Sequence, residues 1–262
     1  MPEIRFNGKN IALIAHDPQL APQMIEDLIS KGGKVYVYGS NTYIKSTYQT
    51  SSLSEYLSKL KTLKKIDSLI IISPIQDPLD FNSITWDNFS PFLTELFSIV
   101  SYIWKRMKNY KAGHLLTLLT TDSFHSTKNS SANSVLALTC IGLMNTLKRE
   151  GAKNHIKINT LVYIPLDSKV FVPNHVIPIA QVLIHDSFKD SGNIYEASAG
   201  VMTRLRVQRA GGVIFQGKYT AESVKDKIED IKKDSIYSDY PEAYSQSLLK
   251  AIYINVKGRP KL

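Results

Sequence analysis

The chain has 262 residues, 43% of them apolar and 21% charged, and 32 Lys and Arg against 23 Asp and Glu leave a net charge of +9. That length suits one large domain or two small ones, and that much apolar material builds a packed core, which excludes wholesale disorder and collagen-like or coiled-coil architectures. Cys140 is the only cysteine, so an intramolecular disulfide and a thiolate-based zinc site are both excluded, and a reducing compartment is the simplest home. The opening MPEIRFNGKN has no apolar signal-peptide core, and nowhere is there the run of about 18 uncharged apolar residues that a membrane span needs. Glu3 and the scarcity of Arg and Ser near the start argue against a conventional mitochondrial presequence.

The predicted elements alternate. Residues 10–15, NIALIA, form an apolar strand that gives way to His16-Asp17-Pro18 and then to a helix over 21–31, with Met24, Ile25, Leu28 and Ile29 on one face. Gly32-Gly33 ends that helix, and VYVYG at 35–39 is a second strand. A polar connection over 40–52 leads to a basic amphipathic helix at 53–65 and to the strand SLIIIS at 68–73, stopped by Pro74. A long helix over 86–110, the strand HLLTLLT, a helix over 131–148 and the strand IKINTLVYI at 156–164 follow. Nearly continuous apolar strands separated by helices mean a parallel sheet covered on both faces, hence a doubly wound, Rossmann-like α/β domain. The spacing predicts such a domain over 1–215 and a C-terminal helical extension over 216–262, with a charged helix at 220–233 and a last one at 242–252.

In FLTELFSIVSYIW (92–104) and VLALTCIGLM (135–144), apolar groups run most of the way round the helix. Each should meet the sheet on one side and another subunit on the other.

A dinucleotide site on this fold needs glycines in the first strand-to-helix turn, because only Gly lets the backbone approach a pyrophosphate. Here the turn is IAHDPQLA. It has no glycine, Asp17 places negative charge where phosphates would sit, and Pro18 removes a backbone donor. The second strand ends at Tyr38-Gly39, without the acidic residue that takes the ribose hydroxyls.

The stretches NTLKREGAKNHIKINTLVYIP (145–165), YEASAGVMTRLRVQRAGGVIF (195–215) and YTAESVKDKIEDI (219–231) resemble the short-chain dehydrogenase/reductase superfamily. More narrowly, they resemble the (3R)-hydroxyacyl-CoA dehydrogenase domains of the peroxisomal type 2 multifunctional β-oxidation enzymes. The most specific parts are R-x-x-R-x-x-G-x-x-F at 206–215 and EGAK-x-x-IK-x-N at 150–159. The resemblance places the family's glycine motif on Ala15, Gln19 and Ala21, its Asn-Asn-Ala-Gly strand end on Ile71-Ile72-Ser73-Pro74 and its helix Asn or His on Leu93. The catalytic Tyr and Lys fall on Asn133 and Ala137, and the catalytic Ser on Thr120.

In that family a Tyr phenol is the general acid and base, and a Lys lowers its pKa while holding the nicotinamide ribose. An amide at Asn133 has no proton to exchange and Ala137 carries no charge. A slip of one residue restores nothing, since no Tyr or Lys occurs between Asn129 and Leu147. The connection over 39–50 and the loop over 165–173 are also shorter than in the relatives. These departures imply a pseudoenzyme with no cofactor, catalytic or metal site.

Other candidates are local. Asp122, Ser123 and His125 form a polar loop more readily than a nucleophile constellation. His16 is a turn residue at the mouth of the cleft, and the six histidines lack metal-ligand spacing. Tyr36, Tyr38 and Tyr48 suit strand and loop packing better than base stacking. Basic clusters at 59–65, 105–111 and 148–157 lie mostly at helix ends, where they complement the helix dipole, with polyanion binding the alternative. The arginines at 204, 206 and 209 belong to the family signature and support dimer packing or the segment that follows. Pro260-Lys261-Leu262 resembles the C-terminal peroxisomal address typified by S-K-L.

The expectation is therefore a dehydrogenase-like pseudoenzyme that works by protein association, as a homodimer or with a related dehydrogenase, in the peroxisome and in connection with fatty-acid β-oxidation. The alternatives are a divergent active (3R)-hydroxyacyl-CoA dehydrogenase and a basic subunit of a ribonucleoprotein such as a mitochondrial ribosome, in the mitochondrion or cytoplasm.

Overall fold

The computed structural model describes residues 3–39, 46–121, 124–125, 127–164, 173–198, 200–215, 218–234 and 238–241. The predicted last helix at 242–252, the loop over 165–172, Asp122, Ser123 and the terminal Pro260-Lys261-Leu262 lie outside the described residues. The chain divides into two compact units between Arg204 and Leu205.

Up to that boundary, which falls at the last residue of β8, strands and helices alternate: β1 (Asn10–Ala15), α1 (Ala21–Ser30), β2 (Lys34–Tyr38), β3 (Tyr48–Thr50), α2 (Leu53–Lys61), β4 (Ser68–Ile72), α3 (Ser90–Tyr110), β5 (Gly113–Thr120), α4 (Ser131–Gly151), β6 (Ile156–Tyr163), α5 (Pro173–Ile184), β7 (Ile194–Ser198) and β8 (Val201–Leu205). The strands lie in the order β3-β2-β1-β4-β5-β6-β7-β8, and the pairings from β3 through to β7 are parallel. Every residue of β4 and β5 is buried, which is why both are apolar on the two faces.

One face of the sheet packs on α2, α3 and α4 through Tyr56, Leu60, Leu96, Ile99, Leu136 and Cys140. The other packs on α1 and α5 through Met24, Ile25, Leu28, Ile177 and Ala180. Burial pushes the Cys140 thiol up to about 12, so it behaves as a small apolar side chain.

Several boundaries differ from expectation. The helix expected over 53–65 stops at Lys61, because Arg106 of α3 donates to the carbonyls of Leu60, Leu63 and Lys64 and closes that helix end. The helix expected from residue 86 begins at Ser90, after two 3-10 turns, Phe81–Ser83 and Trp86–Asn88. The polar connection over 40–52 contains the edge strand β3, paired on β2. The charged helix expected over 220–233 is broken at Lys227 into α6 (Ala221–Asp226), capped by Thr220, and α7 (Ile228–Lys232).

The family signatures have structural work to do. Within the second unit Arg209 forms two hydrogen bonds with the Asp239 carboxylate, 2.9 and 2.7 Å, and Arg206 lies over the Tyr240 ring at 5.5 Å. At Gly151 a side chain would meet the Trp104 ring at 2.7 Å. The buried Asn159 amide donates to the Asp190 carbonyl and accepts from the Asn193 N–H, tying β6 to the segment before β7.

Candidate functional site

The strand order reverses between β1 and β4, and an open parallel sheet offers its ligand crevice outside the carboxyl ends of the strands at that point. The turn from β1 into α1 shows what this chain has put there. Asp17 is buried to 1% exposure. One carboxylate oxygen accepts from the N–H groups of Gln19 at 2.7 Å and Leu20 at 3.3 Å. The other accepts from the Tyr163 hydroxyl, at the end of β6, at 2.7 Å. Burial, then the Asp17 charge and hydrogen bond, hold the Tyr163 phenol well above its ordinary range.

A phosphate binds such a turn through free N–H groups at the helix start. Here those of Gln19 and Leu20 are taken by an internal carboxylate, and Pro22 supplies none in the first turn. The residues present therefore do not fit the pyrophosphate of a dinucleotide.

Beside this turn, His16 Nε2 lies 2.8 Å from Glu95 Oε2 on α3, and the Tyr38 hydroxyl donates to Glu95 Oε1 at 2.7 Å. The His16 ring stands edge-on to Phe92, with centroids 5.4 Å apart. Burial by itself would raise the Glu95 carboxyl, but the bonds from His16 and Tyr38 outweigh it and leave it below its usual value. Burial and the Glu95 partner drive Tyr38 well up. At these separations His16 and Tyr38 both engage Glu95 across the end of β2, where a ribose would be held.

Each position flagged in the sequence has a structural occupation. Ala15 and Ala21 are buried in the core with α1, while Gln19 is exposed and uses only its backbone. A side chain at Gly39 would meet the Ala15 carbonyl at 2.6 Å, so this glycine lets the end of β2 approach β1. Ile71 and Ile72 are core, Ser73 is buried, Pro74 is half-buried and Leu93 packs against the core. Asn133 is 8% exposed, and its amide clasps the backbone of Gln76, accepting from its N–H at 2.8 Å and donating to its carbonyl at 3.1 Å. Ala137 lies in the core, and Thr120 is buried at the end of β5 opposite Tyr163.

Asn133 thus anchors the loop after β4, with Ala132, Leu136 and Ala137 as its buried neighbours on α4. His125 lies 3.4 Å from Glu196. Among the described residues no group of three His, Cys, Asp or Glu side chains is placed to hold a metal, and no helix is long and apolar enough to cross a membrane.

Sequence reasoning missed the partners in these arrangements. Asp17 was visible as misplaced charge, but nothing in the chain links it to Tyr163, 146 positions away, or links His16 to Glu95.

The fold defines the class: a Rossmann-like α/β domain with a doubly wound parallel sheet. Solved structures agree. A full-length peroxisomal multifunctional enzyme type 2 from Drosophila melanogaster superposes with a TM-score of 0.80 at 17% identity over 95% of this chain and 50% of that one. A short chain dehydrogenase from Leptospira borgpetersenii with bound NAD+ gives 0.66 at 14% identity, over 75% of this chain and 93% of that one.

In sequence the chain is 27% identical over 244 residues to the peroxisomal multifunctional enzyme type 2 of Mus musculus, covering 86% of this chain and 32% of that protein. It is 26% identical over 200 residues to the peroxisomal hydratase-dehydrogenase-epimerase of Saccharomyces cerevisiae, covering 70% and 22%. The chain spans less than half the length of these curated relatives. No family model matches it. The chain thus shares the fold of solved short chain dehydrogenases and is similar in sequence to peroxisomal multifunctional enzymes type 2.

Proposed function

We propose that this chain is a dehydrogenase-like pseudoenzyme that acts through protein association, in the peroxisome and in connection with fatty-acid β-oxidation. The observation that carries the loss of hydride transfer is the filled turn after β1, where the Asp17 carboxylate accepts the Gln19 and Leu20 N–H groups and the Tyr163 hydroxyl. A pyrophosphate would have to displace a buried carboxylate and bring a second negative charge beside it. The amide at Asn133 and the methyl at Ala137 supply neither a general acid nor a cation for the nicotinamide ribose.

Support for association comes from the outer sides of α3 and α4. Phe97 is 52% exposed, Val135 44% and Leu138 53%, and the position beside Gly142 is open. An apolar face on helices already packed on the sheet suits a second protein surface. The peroxisomal assignment rests on the relatives' names.

The test is titration of the purified chain with NADH and NADPH to millimolar concentration, followed by nucleotide fluorescence and melting temperature, with a (3R)-hydroxyacyl-CoA and NAD+ assayed in parallel. No turnover and no binding at the cleft are expected. Nucleotide consumption coupled to the hydroxyacyl-CoA would overturn the reading and make the chain a divergent active dehydrogenase.

A further inference from the structure

At the opposite edge of the sheet, where the strands begin, lies a cavity of about 430 Å³. Its walls come from separate elements: Lys9 before β1, Lys65 and Asp67 before β4, His114 on β5, Lys157 on β6, and the segment 186–189 after α5. The lining counts four lysines against two aspartates, so it carries excess positive charge with the imidazoles neutral.

The aspartates are already engaged. Asp186 holds the Lys9 ammonium at 2.6 Å, and Asp67 holds Lys65 at 2.8 Å and Lys9 at 3.8 Å. Lys189 donates to the Asp186 carbonyl at 2.6 Å. Lys157 makes no ion pair among the described residues. It sits in register with His114 on the adjacent strand. His114 is 9% exposed, and Phe188 and His155 are also among the lining residues.

We propose that this cavity binds a small phosphate monoester whose organic part carries a ring, such as a mononucleotide. Lys157 meets the dianionic phosphate, because a charge-assisted bond to a phosphate is strongest from a cation without a competing partner, and the aspartate-paired Lys9 and Lys65 ammonium groups add positive field around it. The cavity lies within the usual range of small-molecule sites, roughly 300–1,000 Å³, and is larger than a bare phosphate fills. Phe188 and His155 line the same cavity as these lysines, and an aromatic side chain there offers a heterocycle a surface to pack against.

His114 provides a probe of the cavity. Burial holds the His114 imidazole down, to about 4, with Lys9, Lys157 and His185 pushing the same way and Asp186 opposing. A phosphate dianion placed beside this neutral ring raises its pKa, so the imidazole reports on the site.

The test is calorimetric titration of the full chain with AMP, glycerol 3-phosphate and inorganic phosphate, repeated on Lys157→Gln and Lys189→Gln, with the His114 ring followed by NMR. AMP should bind saturably and more tightly than inorganic phosphate. Lys157→Gln should weaken it by about tenfold or more, as the loss of one charged contact implies, with the melting temperature unchanged, and AMP should raise the His114 titration midpoint. The inference is overturned if none of the three binds, if inorganic phosphate binds as tightly as AMP, or if AMP binding survives both substitutions. Nicotinamide nucleotide binding that Lys157→Gln removes belongs to this cavity and leaves the reading of the cleft intact; binding that survives it belongs to the cleft.

Discussion

The two ends of one sheet have been treated in opposite ways. At the carboxyl ends, where this architecture normally holds its ligand, the groups bond one another: Asp17 to the turn and to Tyr163, His16 and Tyr38 to Glu95, and Asn133 to Gln76. At the amino ends, cationic groups from separate elements border open space and outnumber their partners. A polar group satisfied internally stabilises the fold and is lost to ligands, whereas an unpaired cation does the reverse. On the proposed reading, this difference is what separates a retired site from an available one.

The strongest way to break the comparison is Asp17→Ala. It strands two backbone N–H groups and a buried phenol, so unfolding free energy should fall by about 3–5 kcal/mol, at about 1–3 kcal/mol for each buried donor left unpaired, with partial relaxation. Urea denaturation measures it. A loss under about 1 kcal/mol would mean that water replaces the carboxylate and that the turn is more open than its hydrogen bonds indicate.

Acid should act on both ends. Burial lowers His114 to about 4 from its usual value near 6.5, so the unfolded chain takes up a proton first as pH falls. The stability due to the neutral ring is complete above about pH 6.5 and is lost progressively down to about 4, on the order of 3 kcal/mol in all. Glu95, held below its usual value by His16 and Tyr38 despite burial, adds a loss of the same sign at lower pH. Unfolding followed from pH 8 to 4, with His114→Gln as the comparison, isolates the histidine: the variant's profile should be flatter between pH 6.5 and 4.

The smallest effect on folding belongs to the outer side of α4. Leu138→Glu should change stability by no more than about 0.5 kcal/mol, as surface substitutions usually do, yet it should shift any self-association toward the monomer. Sedimentation velocity of both proteins reads this. Equal association in the two would place the partner surface elsewhere.

Much of this was legible in the chain. The switch between runs such as SLIIIS and amphipathic stretches such as 21–31 specified a parallel sheet covered on both faces, and the structure has it. Glycine-free IAHDPQLA, with Asp17 in it, already argued against a phosphate. Short edge elements were not legible. β3 has three half-exposed residues and no apolar run to mark it, and the helix expected to continue to residue 65 ends at Lys61 because Arg106, distant in sequence, caps it.

The sequence by itself determined the fold class and the absence of a glycine-rich turn, because each is a matter of residue type and local period. The tertiary structure decided which groups meet. Tyr163 finds Asp17, Glu95 finds His16, and Lys9, Lys65, His114 and Lys157 share one cavity, because parallel crossovers bring the starts of distant strands side by side at one edge and their ends at the other.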